Sequence, residues 1–201
     1  MPLSILIATN NPGKRRELSA LLDDLPIRLL LPADIGLSLD VEEDGNTYAE
    51  NAAKKAVAFC QVSGLTVVAD DSGLEVDALG GAPGLHSARL APGGDADRRR
   101  RLLQLLAPHP RPWNAHFHCT LAVAQPGLPI HFFEGDCPGE IIPEERGEDG
   151  FGFDPIFLVE GMNMTMGELS MDEKNQLSHR ARAVKAAKPL LRTISHSPSG
   201  E

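Results

Sequence analysis

The sequence has no apolar run that approaches the ~18 residues of a membrane span. Residues 1–6 place no basic segment ahead of a short apolar stretch, so we expect no secretory signal. The three cysteines, Cys60, Cys119 and Cys137, show neither CxxC nor CxxH spacing, which argues against a disulfide framework and a zinc site. We therefore expect a cytoplasmic protein that does not bind membranes.

Positive charge is also scarce, because the formal net charge is −9. This balance argues against broad electrostatic binding to DNA or RNA, although a phosphate ligand needs only local positive charge. The one dense basic run, residues 98–101, is interpreted as the solvated face of a helix. A hydrophobic share of 42% and 201 residues suit a globular protein with a substantial core.

Hydrophobic spacing and capping residues predict strands and helices along the whole chain. Strands are expected at residues 4–9, 65–69, 116–123, 130–134 and 153–159. Helices are expected at residues 12–22, from residue 47, at 95–106 and from 170 to about 189, with a loop-rich segment over 80–94. Strands alternate with helices early and adjoin later, so the predicted fold class is α/β with a mixed sheet.

The first candidate site is the turn at residues 9–14, between a strand and a helix. A helix N-terminus offers N–H groups and a positive dipole end to a phosphate, and Lys14 adds a full charge. The spacing of a Walker A loop is missing. An ordinary capped helix with an exposed lysine explains the same residues.

Carboxylates form the second candidate site. Asp70 and Asp71 follow a buried strand, where two adjacent charges need a cation or donors nearby. Alternation along a strand lets one of them hold a metal while the other braces the backbone. Residues 42–44 add acidic oxygens that suit Mg²⁺, and Asn51 and Lys55 share one helix face. A capped turn and a solvated acidic loop remain alternative interpretations.

Aromatic and basic residues form the third candidate site. Glycines flank Phe151, whose ring can stack on a base, although a turn with two core phenylalanines fits equally. Lys174, Asn175, Ser178, His179 and Arg180 lie at a predicted helix start, with Lys174 and Ser178 on one face and Asn175 and His179 on another. This cluster suggests an anion or a nucleotide.

Together these motifs resemble the inosine/xanthosine triphosphate pyrophosphatase family, the bacterial dITP/XTP house-cleaning enzymes. The resemblance rests on residues 9–14, 69–74, 80–84, 87–89, 151–155, 173–175 and 178–180, which occur in the family's order. It implies a two-lobed fold around a long mixed sheet, with a nucleotide cleft between the lobes, a Mg²⁺ requirement and a homodimer. Residues 1–195 would form this single domain, and residues 196–201 a flexible tail.

The resemblance also implies roles for individual residues. Asp71 would be the catalytic base and, with Glu43, a metal carboxylate. The residues that would contact a purine nucleoside triphosphate are Thr9, Asn10, Asn11, Pro12, Gly13, Lys14, Lys55, Ser72, Phe151, Gly152, Phe153, Asp154, Lys174, His179 and Arg180. The products would be the monophosphate and pyrophosphate. The alternatives are an inactive nucleotide-binding regulator, a pyrophosphatase for other modified nucleotides, and a structural module without a ligand.

Overall fold

The computed structural model describes residues 3–196. Within this range the helices are α1 (Pro12–Leu22), α2 (Tyr48–Ser63), α3 (Asp95–Leu106), α4 (Met171–Leu177) and α5 (His179–His196). The strands are β1 (Leu3–Ile7), β2 (Ile27–Leu30), β3 (Thr66–Val76), β4 (Pro83–Gly84), β5 (Trp113–Ala124), β6 (His131–Ile141) and β7 (Phe157–Val159). None of these helices is both long and apolar enough to cross a bilayer.

The strands form one mixed sheet, in the order β2-β1-β3-β5-β6-β7, with β4 paired to β3. Strand β1 runs parallel to both β2 and β3, with Ile5 opposite Leu29 and Thr66. Strand β7 runs antiparallel to β6, and β4 antiparallel to β3. The predicted α/β class with a mixed sheet is therefore confirmed.

Local capping explains the helices that the sequence predicts well. Helix α1 begins at Pro12 because Asn11 Oδ1 accepts hydrogen bonds from the backbone N–H groups of Gly13 and Lys14. Helix α2 begins after Thr47, whose hydroxyl accepts from the Glu50 N–H. The Glu50 carboxylate accepts from the Asn46 N–H. Helix α3 has the predicted bounds, Asp95–Leu106.

The C-terminal helix differs from its prediction in two ways. It is broken at Ser178, which is extended and separates α4 from α5. The helical spacing that would place Ser178 and His179 on faces with Lys174 and Asn175 therefore does not hold. Helix α5 also continues through Pro189 to His196, because the burial of Ala187 and Leu191 outweighs the helix-breaking tendency of proline. Of the predicted tail, His196 ends α5 and residues 197–201 lie outside the described range.

Several strands are longer than the sequence predicts, and two were missed: β2, and the two-residue β4 within the segment predicted to be loop-rich. Strand β3 continues through Asp70 and Asp71 to Val76, so the two carboxylates lie inside the strand. Strand β5 alternates in burial only up to His118 and is buried on both faces from Cys119 onward. Of the strand predicted at 153–159, only Phe157–Val159 forms β7, and Asp154–Ile156 form a short helical turn before it. Strand β2 has only four residues and gave no clear pattern.

The chain divides into two compact units, each with its own core. Unit 1 takes in the chain up to Asp71, Thr120–Glu134, and the chain from Arg182 onward; unit 2 takes in Ser72–Cys119 and Gly135–Ala181. The unit 1 core packs α2 residues such as Ala56 and Phe59 with Val67 of β3. The unit 2 core includes Leu74, Leu102, Phe117, Phe153 and Phe157. The boundary at residues 71 and 72 lies inside β3.

Candidate active site

The turn before α1 is already hydrogen-bonded within itself. The Asn11 N–H donates to Thr9 Oγ1 at 3.2 Å, and Asn11 Oδ1 accepts from the N–H groups of Gly13 at 2.8 Å and Lys14 at 3.1 Å. Asn10, Asn11 and Pro12 are exposed. An anion at this turn would therefore meet the helix dipole and the Lys14 ammonium, while the first amides are shared with Asn11.

Two lysines converge on Asp70 in unit 1. Lys14 Nζ lies 3.2 Å from Asp70 Oδ2 and 3.5 Å from the Asp70 carbonyl oxygen. Lys55 Nζ donates to the same carbonyl oxygen at 2.7 Å and forms an ion pair with Glu43. Asp70 therefore holds two ammonium groups close together, which the sequence did not assign to it. A polyanion such as a triphosphate would relieve the repulsion between them.

Asp71 has different surroundings from Asp70. Its Oδ2 accepts a hydrogen bond from Asn51 Nδ2 at 3.0 Å, and the side chain is buried. Burial raises the pKa of the Asp71 carboxyl, and the nearby Glu43 raises it further, while Lys14, Lys55 and the Asn51 hydrogen bond act to lower it. A carboxylate whose pKa is shifted toward neutral in this way is suited to act as a general base.

Asn51 has more contacts in this region than the sequence analysis predicted. It is 1% exposed, and its Oδ1 accepts from the Gly45 N–H at 2.8 Å. A Cβ at Gly45 would lie 2.7 Å from that oxygen, so only glycine fits this approach. Asn51 thereby ties the acidic loop at 42–44 to α2 and also orients Asp71. The only indication of this role in the sequence was that Asn51 lies on the same helix face as Lys55.

The donor set in unit 1 fits a magnesium ion. Across residues 3–196 no group of three or more His, Cys, Asp or Glu side chains could hold a metal by itself. Mg²⁺, however, usually takes one or two carboxylates and completes its shell with water and substrate phosphates. Asp71 and Glu43 could supply the carboxylates. Burial disfavours the anionic form of Asp71, and a cation would offset that cost.

The Phe151 turn in unit 2 is held by Asp154. Asp154 Oδ2 accepts from the Phe151 N–H at 2.8 Å and from Lys174 Nζ at 2.5 Å. Gly150 and Gly152 have φ values of 83° and 64°, and a Cβ at Gly150 would lie 2.1 Å from Asp154 Oδ2. Phe153 packs in the unit 2 core, whereas Phe151 is only half-buried. The core-phenylalanine interpretation therefore describes Phe153.

Two cations lie near the Phe151 ring, and unit 2 also holds a stacked histidine. Lys174 Nζ and the Arg180 guanidinium lie 5.0 and 5.9 Å from the Phe151 ring centroid. Arg180 is 1% exposed, and its Nη2 donates to Ser72 Oγ at 3.0 Å. The His179 ring stacks on Phe117 with centroids 4.8 Å apart. Unit 2 thus collects an aromatic ring and several hydrogen-bond donors, which suits a nucleobase.

The arginine run on α3 differs from its prediction. Arg98 Nη1 donates to the Ala88 carbonyl at 2.8 Å, and Arg99 Nη1 donates to the Gly152 carbonyl at 3.0 Å. Only Arg100 and Arg101 are exposed. The solvated-face interpretation is therefore wrong for Arg98 and Arg99, because backbone acceptors distant in sequence take up their donors.

The predicted site residues fall into two sets, one in each unit. Residues 9–14, Glu43, Lys55 and Asp71 lie in unit 1. Ser72, residues 151–154, Lys174, His179 and Arg180 lie in unit 2. The first set carries ammonium groups and carboxylates, which suit phosphates and a cation. The peptide bond between residues 71 and 72 joins the two sets within β3.

Comparisons with known proteins show which family this chain resembles. Residues 5–190 match the model of the Ham1 family. The chain is 45% identical to a dITP/XTP pyrophosphatase of Desulforamulus reducens, over 96% of this chain and 97% of the relative. It is 48% identical to a dITP/XTP pyrophosphatase of Geobacillus kaustophilus, over 90% of each chain. A solved Ham1 protein from Coxiella burnetii superposes with a TM-score of 0.85 at 38% identity, over 95% of this chain and 99% of that one.

Proposed function

The chain belongs to the Ham1 family, and we propose that it hydrolyses non-canonical purine nucleoside triphosphates, namely dITP, ITP, XTP and dXTP, to the monophosphate and pyrophosphate. The observation that carries this proposal is the arrangement around β3 in unit 1. A buried carboxylate of raised pKa, Asp71, is oriented by Asn51, and the ammonium groups of Lys14 and Lys55 meet at the adjacent Asp70. A base beside paired cations suits attack of water on a phosphate chain.

Each residue of this set has a distinct task in the proposed reaction. Asp71 takes the proton of the attacking water at its carboxylate, and the Asn51 amide holds that carboxylate in place. Lys14 and Lys55 stabilise the charge that develops on the leaving pyrophosphate. Asp70 keeps the two ammonium groups near each other before substrate binds. Attack at the α-phosphate then releases pyrophosphate in one step.

We propose that the reaction requires Mg²⁺, held by Asp71 and Glu43. When bound, the ion would act as a Lewis acid toward the phosphate oxygens. Lys55 pairs with Glu43 and so restrains one of the two carboxylates. Removal of divalent cations by chelation should abolish turnover of ITP, and Mg²⁺ should restore it. Full activity in the presence of excess chelator would contradict this part of the proposal.

The residues of unit 2 would select the base by hydrogen-bond polarity. Hypoxanthine and xanthine present an acceptor at O6 and a donor at N1–H, and adenine presents the reverse. Lys174, His179 and Arg180 would donate to O6, and Asp154 would accept from N1–H. A lysine ammonium carries three N–H donors and an arginine guanidinium five, and those of Lys174 and Arg180 include the donors to Asp154 and Ser72. Phe151 would stack on any purine and add affinity without selectivity.

We also propose that the protein is a cytoplasmic homodimer. The dimer follows from the family resemblance, and light scattering should give twice the chain mass of 21.6 kDa. A mass of one chain at micromolar concentration would contradict it. The cytoplasm is supported by three cysteines with buried, unbridged thiols. Burial raises the pKa of the Cys60 thiol, which disfavours the reactive thiolate.

A panel of triphosphates, assayed separately for pyrophosphate and orthophosphate, tests the function directly. We expect pyrophosphate as the first product from ITP, dITP and XTP, with far slower release from ATP. Orthophosphate as the first product would contradict the proposed bond. Tight binding of ITP without turnover would indicate a nucleotide-binding regulator, and a preference for pyrimidine or methylated substrates would indicate another pyrophosphatase.

A further inference from the structure

Two side chains of helix α3 form hydrogen bonds with the backbone of Gly152, one with its N–H group and one with its carbonyl oxygen. Asp95 Oδ2 accepts a hydrogen bond from the Gly152 N–H at 2.7 Å. Arg99 Nη1 donates to the Gly152 carbonyl oxygen at 3.0 Å. Asp95 and Arg99 are four residues apart, so they lie on the same face of α3. We refer to these two side chains as the α3 clamp.

The α3 clamp and Asp154 together fix the backbone on either side of Phe151. The Phe151 N–H donates to Asp154 Oδ2 at 2.8 Å, and the next N–H, that of Gly152, donates to Asp95. Hydrogen bonds to carboxylates are about twice as strong as neutral ones. With both amides held, the direction of the Phe151 Cα–Cβ bond is set, which limits the positions that the ring can reach.

The clamp residues are themselves oriented by other contacts within unit 2. Arg98 Nη2 pairs with Asp95 Oδ1 at 3.0 Å, and Arg98 Nη1 is bound to the Ala88 carbonyl. Arg99 Nη2 pairs with Glu145 at 2.8 Å, and its side chain is only 14% exposed. These contacts are made by Arg98 and Arg99, the first two residues of the arginine run. They cost side-chain freedom that a merely solvated helix face would keep.

We infer that Asp95 and Arg99 are positioning residues for nucleobase binding, acting through Phe151. This inference rests on the proposed function, in which Phe151 stacks on the base. The ring lies 5.0 Å from Lys174 Nζ, so a displaced ring would also disturb the donor side of the base site. The clamp lies in unit 2 and the groups assigned to phosphate chemistry lie in unit 1, so we expect substrate affinity and turnover to separate.

The test compares Asp95→Ala and Arg99→Gln with the wild-type protein, using ITP and measuring pyrophosphate release. We expect KM to rise by about fivefold to twentyfold, part of the affinity that base stacking supplies, with kcat within about twofold. Asp95→Asn keeps an acceptor oxygen for the Gly152 N–H and should recover part of the lost affinity. Matched controls are Arg100→Ala and Arg101→Ala, at exposed positions on the same helix, which should leave KM unchanged.

A double-mutant cycle with Phe151→Ala separates positioning from general loss of structure. If the clamp acts through the ring, Asp95→Ala should add little to KM once Phe151→Ala is present. Additive effects on KM, a fall in kcat alone, or an equal effect of Arg100→Ala would overturn the inference. If Asp95→Ala does not fold, Arg99→Gln carries the same cycle. Absence of pyrophosphate release by the wild-type protein would instead refute the proposed function.

Discussion

The two site sets carry opposite net charges. In unit 1, Lys14 and Lys55 accompany three carboxylates, those of Asp70, Asp71 and Glu43, which leaves one negative charge when all are ionised. In unit 2, the Asp154 carboxylate accompanies two cations, Lys174 and Arg180, which leaves one positive charge if His179 is set aside. The first set therefore suits a cation together with a polyanion, and the second suits acceptor atoms on a neutral base.

The two sets also differ in how their charges are supported. In unit 1 the ammonium groups share a backbone carbonyl oxygen, and Glu43 remains partly open to solvent. In unit 2 the Lys174–Asp154 pair is almost fully buried, with side chains 4% exposed. Charges in unit 1 can therefore rearrange around a ligand, whereas those in unit 2 are fixed in advance. Fixed donors are what discrimination between similar bases requires.

The largest expected effect comes from the carboxylate assigned as the base. Asp71→Asn keeps the shape of the side chain but removes the proton acceptor, so turnover of ITP should fall by a factor on the order of 10² to 10⁴. Affinity for ITP should fall less. Steady-state pyrophosphate release gives both quantities, and Asp77→Asn, an exposed residue just beyond β3, is the matched control. Near-normal turnover would place the base elsewhere, with Asp70 or Glu43 next to be tested.

The buried ion pair of unit 2 should dominate stability. Asp154→Ala leaves the Lys174 ammonium buried without its carboxylate, which typically costs about 3–5 kcal/mol of unfolding free energy. Urea denaturation measures this change, and the double variant with Lys174→Met should recover part of it. Asp44→Ala removes the partner of Lys54 in an exposed pair and should leave the urea midpoint unchanged. Equal shifts for the buried and exposed pairs would remove the contrast between the units.

Base selectivity should depend on unit 2 alone. Arg180→Ala removes a donor, and His179→Phe keeps the stack on Phe117 but removes the ring N–H groups. Each should lower the ratio of ITP to ATP hydrolysis by about tenfold to a hundredfold, because one unmatched buried polar group costs about 1–3 kcal/mol. Arg192→Ala, on the exposed face of α5, is the control. A proportional loss of both activities would assign these residues to phosphate binding or to helix structure.

The smallest expected effect is a shift in pH dependence. Because burial raises the pKa of Asp71, activity should be lost, as the pH falls, at a higher pH than an ordinary aspartate would give. The Asn51 hydrogen bond lowers this pKa, so Asn51→Ala should move the acidic limb of kcat further toward neutral pH. Gln61→Ala, exposed on the same helix, should not. If the acidic limb of the kcat profile does not move in Asn51→Ala, the group that titrates is not the one that Asn51 contacts.

The same raised pKa predicts how Asp71 affects folding. A carboxyl group whose pKa is higher in the folded than in the unfolded state destabilises the fold increasingly as the pH rises above the unfolded-state pKa, and the full cost is reached above the folded-state pKa. Asp71→Asn should therefore raise the melting temperature at pH 7, and the gain should vanish below the ordinary pKa of aspartate. Melting curves across this range test the sign. A lower melting temperature at pH 7 would mean that the Asn51 hydrogen bond outweighs the cost of burial.

Local signals were enough to predict the helices in the first half of the chain. The caps at Asn11 and Thr47 are formed by neighbours within a few residues, so spacing alone predicts where α1 and α2 begin. The motif resemblance predicted the family, which the Ham1 match confirms. The roles assigned to individual site residues remain predictions. Asn51 was visible only as a neighbour of Lys55 on one helix face.

Long-range contacts account for what the sequence missed. Two adjacent aspartates suggested the end of a strand, but Lys14 and Asn51, 56 and 20 residues away from their partners, allow β3 to continue through them. The arginine run suggested a solvent-exposed helix face, but Arg99 donates a hydrogen bond to the carbonyl oxygen of Gly152, 53 residues away. The buried Leu191 likewise keeps α5 helical beyond Pro189. Contacts between residues so far apart in the sequence leave no pattern among neighbouring residues from which they could be predicted.

The two units alternate along the chain, which limits how recombination between related genes can exchange them. Unit 1 draws on three segments and unit 2 on two, with boundaries after residues 71, 119, 134 and 181. No single crossover between related genes can therefore exchange one unit intact, and a crossover between the codons for residues 71 and 72 would separate the proposed base from the serine beside it. Point substitution within unit 2 is therefore the simplest way for a new base specificity to arise while the phosphate chemistry of unit 1 is inherited unchanged.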